Sequence, residues 1–307
     1  MHKMVWEKKG LMLKPGRYEW MVTHAQNPFW EFIGGDKYKI HFAGRDKRNR
    51  ARGGFAIIDL NDSTVPISYS ENPTLDLGEL GCFDDCGIMP SCLVKKDGLQ
   101  YMYYTGWSQC VRIPFTFFIG LSISHDNGIS FKRISKAPVL GCTHADPYLT
   151  ASPWVEFDNG IFRMWYVSGT GWRVDTCDSE PKHFYNIKYA ESTNGVIWKN
   201  EGVTCIDFEQ DEYAIARPTV RIENGLYRMW YCYRGGQKRY RAGYAESKNG
   251  INWERYDDYV GVDVSSDGWD NNMICYPCVI KHKDHEYMIY NGNEYGQTGA
   301  GLAIRVT

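Results

Sequence analysis

The chain has 307 residues, 43% hydrophobic and 23% charged, with 35 basic side chains against 37 acidic ones and a formal net charge of −2. This balance excludes a disordered chain and a protein-wide cationic field for nucleic acid. No apolar run approaches the roughly 18 residues of a membrane-spanning helix. Residues 1–9 lack the apolar stretch of a secretory leader, so the ten cysteines predict a reducing, cytoplasmic setting rather than a disulfide framework. Cys275 and Cys278 fall in a predicted strand, where residues three apart face opposite sides, so no zinc site is read there.

Five prolines mark a repeat. Pro28, Pro90, Pro153, Pro218 and Pro277 sit in or after short apolar runs, spaced by 62, 63, 65 and 59 residues. A second, aromatic-led strand follows each proline, at Tyr38, Tyr101, Phe162, Tyr227 and Tyr287. Asp97-Gly98, Asn159-Gly160 and Asn224-Gly225 lie between first and second strands, as tight hairpins require. A third strand recurs at Gly54, Gly120, Lys188, Gly243 and Gly301. A turn and fourth strand then read Ser192-Thr193-Asn194-Gly195-Val196-Ile197-Trp198 and Ser247-Lys248-Asn249-Gly250-Ile251-Asn252-Trp253. Ser124 to Phe131 is the same pattern with one extra residue.

Four short strands per repeat predict an all-β, five-bladed β-propeller with four antiparallel strands per blade. The last repeat stops after its third strand, and Val5-Trp6-Glu7-Lys8 resembles the fourth strands at Trp198 and Trp253. The N-terminal strand is therefore expected to complete the last blade and close the ring. Residues 1–307 read as one domain, with blades at about 20–80, 81–141, 142–208, 209–265 and 266–307 plus 1–14. Most of the second-strand aromatics are assigned to packing between blades.

In such a ring, the loops before the first strands and those joining second to third strands share one face, where a site would lie. The first set carries Asp84 and Asp85, Asp146, Asp211 and Glu212, and Asp270, with His24 and His144 as polar contacts. Crowded carboxylates raise one another's pKa, which lets acid and base coexist near neutrality, although Asp is also common in turns. The second set is basic: five of nine such residues lie between Arg45 and Arg52 and four between Arg234 and Arg241, against one acid. Arg45 and Arg234, closest to their strand ends, are the most inward candidates for holding a phosphate, sulfate or carboxylate. Trp107 and Trp172 are candidate sugar platforms.

Strands such as Tyr227-Arg228-Met229-Trp230-Tyr231 and Ser-x-(Asp/Asn)-Gly-x-x-Trp turns in five four-stranded repeats resemble the five-bladed propeller glycosidases, glycoside hydrolase families 43, 32, 62, 68, 117 and 130. The resemblance covers essentially the whole chain. It implies carbohydrate chemistry in the central funnel, by hydrolysis, phosphorolysis or transfer, with paired carboxylates. The family 43 triad positions fall on Asn27, Ser91 and Ala151, none of which carries a carboxyl group.

The leading expectation is an enzyme acting on a glycosidic bond of an anionic sugar. In it Glu212 or Asp85 is the acid/base, Asp146 and Asp270 tune or position, and Arg45, Arg217 and Arg234 hold the anion, with Asn27 at the substrate. Two alternatives stay open: a glycosyltransferase using a nucleotide sugar, and a non-catalytic carbohydrate-binding propeller. The expected ligand is a carbohydrate, sugar phosphate or nucleotide sugar. No cofactor is called for, Ca²⁺ in the channel stays open, and neither membrane nor nucleic acid is an expected partner.

Overall fold

The computed structural model describes residues 2–61, 65–176 and 179–306. The chain runs through β1 (Val5–Leu13), β2 (Thr23–Gly34), β3 (Lys37–Arg45), β4 (Ala51–Asp59) and β5 (Ser68–Tyr69). It continues through β6 (Gly87–Lys96), β7 (Leu99–Gln109), β8 (Phe115–Ser124), β9 (Lys132–Arg133), β10 (Thr150–Asp158), β11 (Ile161–Arg173), β12 (Lys182–Ser192) and β13 (Thr204–Ile206). It ends with β14 (Glu212–Glu223), β15 (Leu226–Gly235), β16 (Arg241–Ser247), β17 (Glu254–Arg255), β18 (Cys275–His282), β19 (His285–Asn291) and β20 (Ala300–Val306). Among the described residues, helix is limited to turns of three or four residues. No helix among the described residues is long and apolar enough to cross a membrane.

The strands form one four-stranded sheet, in the order β1-β20-β19-β18, and two eight-stranded sheets, β2 to β9 and β10 to β17. Each larger sheet is two antiparallel quartets joined by a parallel bridge, Ala51 to Gly87 in one and Tyr185 to Ala214 in the other. The N-terminal strand closes the smaller sheet: β1 pairs antiparallel with β20, from Val5 opposite Val306 to Leu13 opposite Ala300. This all-β arrangement is a β-propeller.

Local sequence explains the hairpins. Asp97-Gly98, Asn159-Gly160 and Asn224-Gly225 all have positive φ at both residues, the backbone of a two-residue turn whose twist matches its strands. The Ser-x-Asn-Gly turns build their own hydrogen bonds. Ser192 Oγ accepts from the Gly195 N–H at 2.9 Å, and Asn194 Oδ1 accepts from the Val196 and Ile197 N–H groups at 2.9 Å. Each turn is also tied to the preceding repeat. Lys39 Nζ donates to Asn127 O at 2.5 Å, Tyr103 to Gly195 O at 2.8 Å and Trp165 Nε1 to Gly250 O at 2.6 Å. The second-strand aromatics are packing residues: buried Trp165 clusters with Ile215, Val220, Met229 and Ala245 of the next repeat.

The strands that lead each quartet position the site. Their ladders break at the repeat proline, between Gln26 and Phe29, Pro90 and Cys92, Ala151 and Trp154, Ala216 and Thr219, and Cys275 and Cys278. At four of the five, the residue before proline has positive φ: Asn27 at 55°, Ser152 at 47°, Arg217 at 57° and Tyr276 at 56°. Such bulges re-aim side chains and concentrate next to functional sites. The backbone strain is real, because a residue before proline prefers extended geometry.

Candidate ligand-binding site

The carboxyl groups ahead of the leading strands are largely committed to the scaffold. Asp84, Asp146 and Asp270 are buried. Each accepts a hydrogen bond from a second-strand tyrosine: Tyr104 at 3.0 Å, Tyr166 at 2.9 Å and Tyr290 at 3.0 Å. Each also meets a cation, Arg133 at 2.7 Å, Lys188 at 3.3 Å and Lys8 at 2.8 Å respectively. Asp146 further accepts from Ser168 at 2.6 Å and Asn200 at 2.7 Å. Glu212 is held by both terminal nitrogens of Arg255, at 2.8 and 2.7 Å. Asp85 accepts from the Gly81 N–H at 2.9 Å and the Ser108 hydroxyl at 2.8 Å. Burial pushes the Asp85 carboxyl up, but these bonds outweigh it and hold the group below its usual range.

The basic loops are also largely neutralised. Asp46 binds Arg50 at 2.8 Å and Arg52 at 2.7 Å, while Arg241 reaches Asp263 at 3.0 Å. Arg45 behaves differently. It lines a cavity of about 350 Å³ at the convergence of the leading strands. Its guanidinium donates to Gln26 Oε1 at 2.8 Å and Asn49 Oδ1 at 3.0 Å, and its Nε is buried without a partner.

Two kinds of wall enclose this cavity. One is apolar: Met89, Trp107, Phe115, Phe117, Leu149 and Val167. The Phe115 and Phe117 rings stack with centroids 4.3 Å apart. The other wall is polar: Gln26, Asn27, Arg45, His183, Tyr185, Tyr276 and Tyr295. Ser152, Ala151 and Ala216 also face the space. None of the described lining residues carries a carboxyl group.

Arg234 stands behind the polar wall. It donates to His183 Nε2 at 2.7 Å and to the Tyr295 hydroxyl at 3.2 Å, and lies against the Tyr213 and Tyr240 rings. Burial, then the charge of Arg234, lowers the His183 pKa to about 3, so the ring is neutral and accepts the arginine's hydrogen bond. His24 is brought down to about 3 in the same way, by burial and Arg45, and its Nδ1 lies 2.9 Å from the Thr23 hydroxyl.

Of the residues singled out in the sequence, the structure brings Asn27, Arg45, Trp107 and Ala151 to the cavity. Trp172 packs behind it on Phe115 and His183, with ring centroids 5.5 and 5.4 Å away. Arg217 is buried beside it, adjacent to Ala216. His144 is exposed. Neither His144 nor Asp85, Asp146, Glu212 or Asp270 lines the cavity. Sequence reasoning missed Ser152, Tyr276, His183 and Tyr185. The first two had an available signal, since they immediately precede repeat prolines. Among the described residues no cluster of three or more His, Cys, Asp or Glu side chains is placed to hold a metal ion.

Solved structures of glycoside hydrolases share this fold. The structure of a BT0996 RGII complex superposes with a TM-score of 0.74 at 18% identity, covering 99% of this protein and 92% of the other. A thermostable family-43 glycoside hydrolase gives 0.68 at 16% identity, covering 96% and 93%. The Bombyx mori GH32 beta-fructofuranosidase BmSUC1 gives 0.65 at 14%, covering 97% of this protein and 61% of that one. At these identities the likeness establishes the fold alone.

No family model matches the sequence. It is 40% identical over 303 residues to the Mycobacterium tuberculosis (strain H37Rv) "Uncharacterized protein Rv1502", covering 98% of this protein and 99% of the relative. "Uncharacterized protein MT1551" of strain CDC 1551 matches with the same identity and coverage. The protein belongs to the family of these two mycobacterial proteins.

Proposed function

We propose that residues 1–307 form one five-bladed propeller domain whose central funnel binds an anionic carbohydrate. The observation that carries this reading is the composition of the cavity: aromatic side chains and Arg45, with no carboxyl group among its described lining residues. Aromatic faces suit sugar rings, and guanidinium forks suit phosphate, sulfate or carboxylate. Hydrolysis through a carboxylate pair needs two such groups roughly 5–9.5 Å apart across the scissile bond. Asn27 and Ala151 face the space instead. Ser91, the third position the resemblance identifies, is buried and donates its hydroxyl to Met89 O at 3.2 Å. These features favour recognition or transfer over two-carboxylate hydrolysis.

A nucleotide-sugar transferase is the second reading. The Phe115 and Phe117 rings support it, because apolar aromatic side chains and Arg45 in one cavity suit a base and its phosphates together. Calorimetric titration tests both readings with a uronic acid, a sugar phosphate, a nucleoside diphosphate and a neutral oligosaccharide. Anionic sugars are expected to bind and neutral ones not to. Arg45→Gln is expected to weaken binding by about tenfold or more, since a charge-assisted hydrogen bond contributes about 1.5–3 kcal/mol. Equal affinity for neutral and anionic sugars overturns the anionic reading. Preferential binding of the nucleoside diphosphate moves the assignment to the transferase.

A further inference from the structure

Arg217 is the most anomalous side chain in the molecule. It occupies the pre-proline position of the fourth leading strand, β14, on a bulge with φ of 57°. It is 0% exposed. None of its three guanidinium nitrogens has a hydrogen-bond partner in the protein. Guanidinium presents five N–H donors and stays charged in proteins. A buried charge is tolerated when it is paired or hydrogen-bonded.

The surroundings do not supply that partner. Arg217 lies within electrostatic reach of Cys92 on β6, Cys232 on β15, and Cys278 and Tyr276 on β18. Its guanidinium carbon is 5.9 Å from the Trp154 ring on β10. Residues on the leading strands of three other repeats, β6, β10 and β18, thus surround it. Burial pushes the Cys92 and Cys232 thiols up to about 12 and Cys278 up to about 11, so all three are neutral. Glu156, the nearby carboxyl group on β10, accepts from Trp154 Nε1 at 2.9 Å, and burial pushes its pKa up to about 7. It makes no hydrogen bond to Arg217, whose nitrogens are all without partners. Buried Asp84, Asp146 and Asp270 are each matched to a cation. This buried cation is bonded to no acid.

The corresponding residues in the other repeats are Asn27, Met89, Ser152 and Tyr276, and all four line the cavity. Arg217 therefore belongs to the same ring of side chains, one position past the cavity-lining Ala216. The Asn27 side-chain oxygen in that ring is likewise buried and without a partner. Arg217 itself is fully buried beside the lining rather than part of it, next to Ala216 of a cavity lined by aromatic rings and Arg45. A planar fork of unpartnered donors in that place matches the chemistry of an oxyanion.

We infer that Arg217 is the base of an oxyanion site that takes a phosphate or sulfate group, as a free ion or as the charged group of the sugar. The second form rests on the funnel reading above. Free phosphate and sulfate are the first probes, titrated into the full-length protein against chloride at matched ionic strength. Wild type is expected to gain several degrees in Tm with either oxyanion at saturation and none with chloride. Arg217→Lys, which keeps the charge but not the fork, is expected to weaken the oxyanion at least tenfold, and Arg217→Gln to abolish binding. Equal stabilisation of wild type and a folded Arg217→Gln, or no difference between oxyanion and chloride, overturns the site. Should Arg217→Gln fail to fold, the Nε–Hε resonance of Arg217 is read in wild type, assigned by its loss in Arg217→Lys. Movement of that resonance with phosphate supports the site and a static resonance overturns it.

A sugar phosphate and a sugar sulfate form the second arm. Competition between the sugar ester and the free ion, both dependent on Arg217, assigns the site to the ligand's own charged group. Binding of the free ion through Arg217, with no sugar bound, keeps this site and sinks the funnel reading. Sugar-ester binding that is unchanged in Arg217→Lys keeps the funnel reading and sinks this site.

Discussion

The outer ring of acids and the central cavity treat charge in opposite ways. In the ring, Asp84, Asp146 and Asp270 each meet a tyrosine and a cation, and the three sets superimpose on the repeat. At the centre, Arg45, Arg217 and Arg234 keep buried nitrogens without protein partners. The ring acids recur because three of the repeats use the same fastening between leading loop and second strand, while in the fourth Tyr231 donates to Asp257 instead. The pre-proline positions differ from repeat to repeat, as Asn27, Met89, Ser152, Arg217 and Tyr276, because they surround one space and need not be alike. In this molecule what recurs is scaffold, and what varies at a symmetric position surrounds the cavity.

Asp146→Asn tests that division most severely. Buried Asp146 accepts from Tyr166, Ser168 and Asn200 and pairs with Lys188, whose side chain is 11% exposed. Neutralising it leaves a largely buried lysine without its acid, and breaking a buried pair costs about 3–5 kcal/mol. The expected fall in Tm is roughly 5–10 °C for a protein of this size. Ligand affinity of the protein that remains folded is expected to stay within about twofold. Unchanged stability with lost binding would return Asp146 to the site and erase the contrast.

Acid should separate the two regions next. Glu31 is buried and accepts from His41 Nε2 and Gln100 Nε2, each at 2.8 Å, with Lys95 Nζ also at 2.8 Å. Burial pushes its carboxyl up, and these donors more than reverse that, lowering its pKa from 4.5 to about 2. Burial lowers the pKa of His41 itself, while the bond to Glu31 works against that shift. A depressed folded pKa means that the stabilisation is complete above about 4.5 and is lost as pH falls towards 2. Unfolding free energies between pH 5 and 2 are expected to fall by roughly 2–3 kcal/mol more in wild type than in Glu31→Gln. Parallel curves for the two proteins would remove Glu31 from the acid-sensitive groups of the scaffold.

The division also explains which features the sequence disclosed. Hairpins such as Asn159-Gly160 were legible because two positive-φ residues in a row need those residue types. The closing strand was legible because Trp6 echoes Trp198 and Trp253. The repeated acids were equally visible, but their partners lie twenty residues away in Tyr104, Tyr166 and Tyr290, or further in Lys8, Arg133 and Lys188. An Asp that fastens a loop and an Asp that awaits a substrate look alike until those partners are placed. His183 was invisible for a similar reason: its position follows from a hydrogen bond to Arg234, 51 residues on. Ser152 and Tyr276 were marked by the prolines that follow them, but alternation along a regular strand does not place a residue turned by positive φ.

That bulge supports the smallest and most pointed prediction. Ser152 holds φ at 47° ahead of Pro153 and lines the cavity. A non-glycine residue in that region costs roughly 1–2 kcal/mol, while glycine adopts it freely at an entropic cost of roughly 0.5–1 kcal/mol. Ser152→Gly should therefore stabilise the fold by a few tenths to about 1 kcal/mol, the reverse of what glycine does inside an ordinary strand. Gly at Val155, three residues along β10 and buried, serves as the ordinary-strand control and should destabilise. Paired denaturant midpoints read the sign directly. A loss of stability in Ser152→Gly as large as in Val155→Gly would mean that the pre-proline backbone is unstrained. The bulge would then be a feature of the ladder alone, and the ring of varying residues would lose its claim to have been shaped around a ligand.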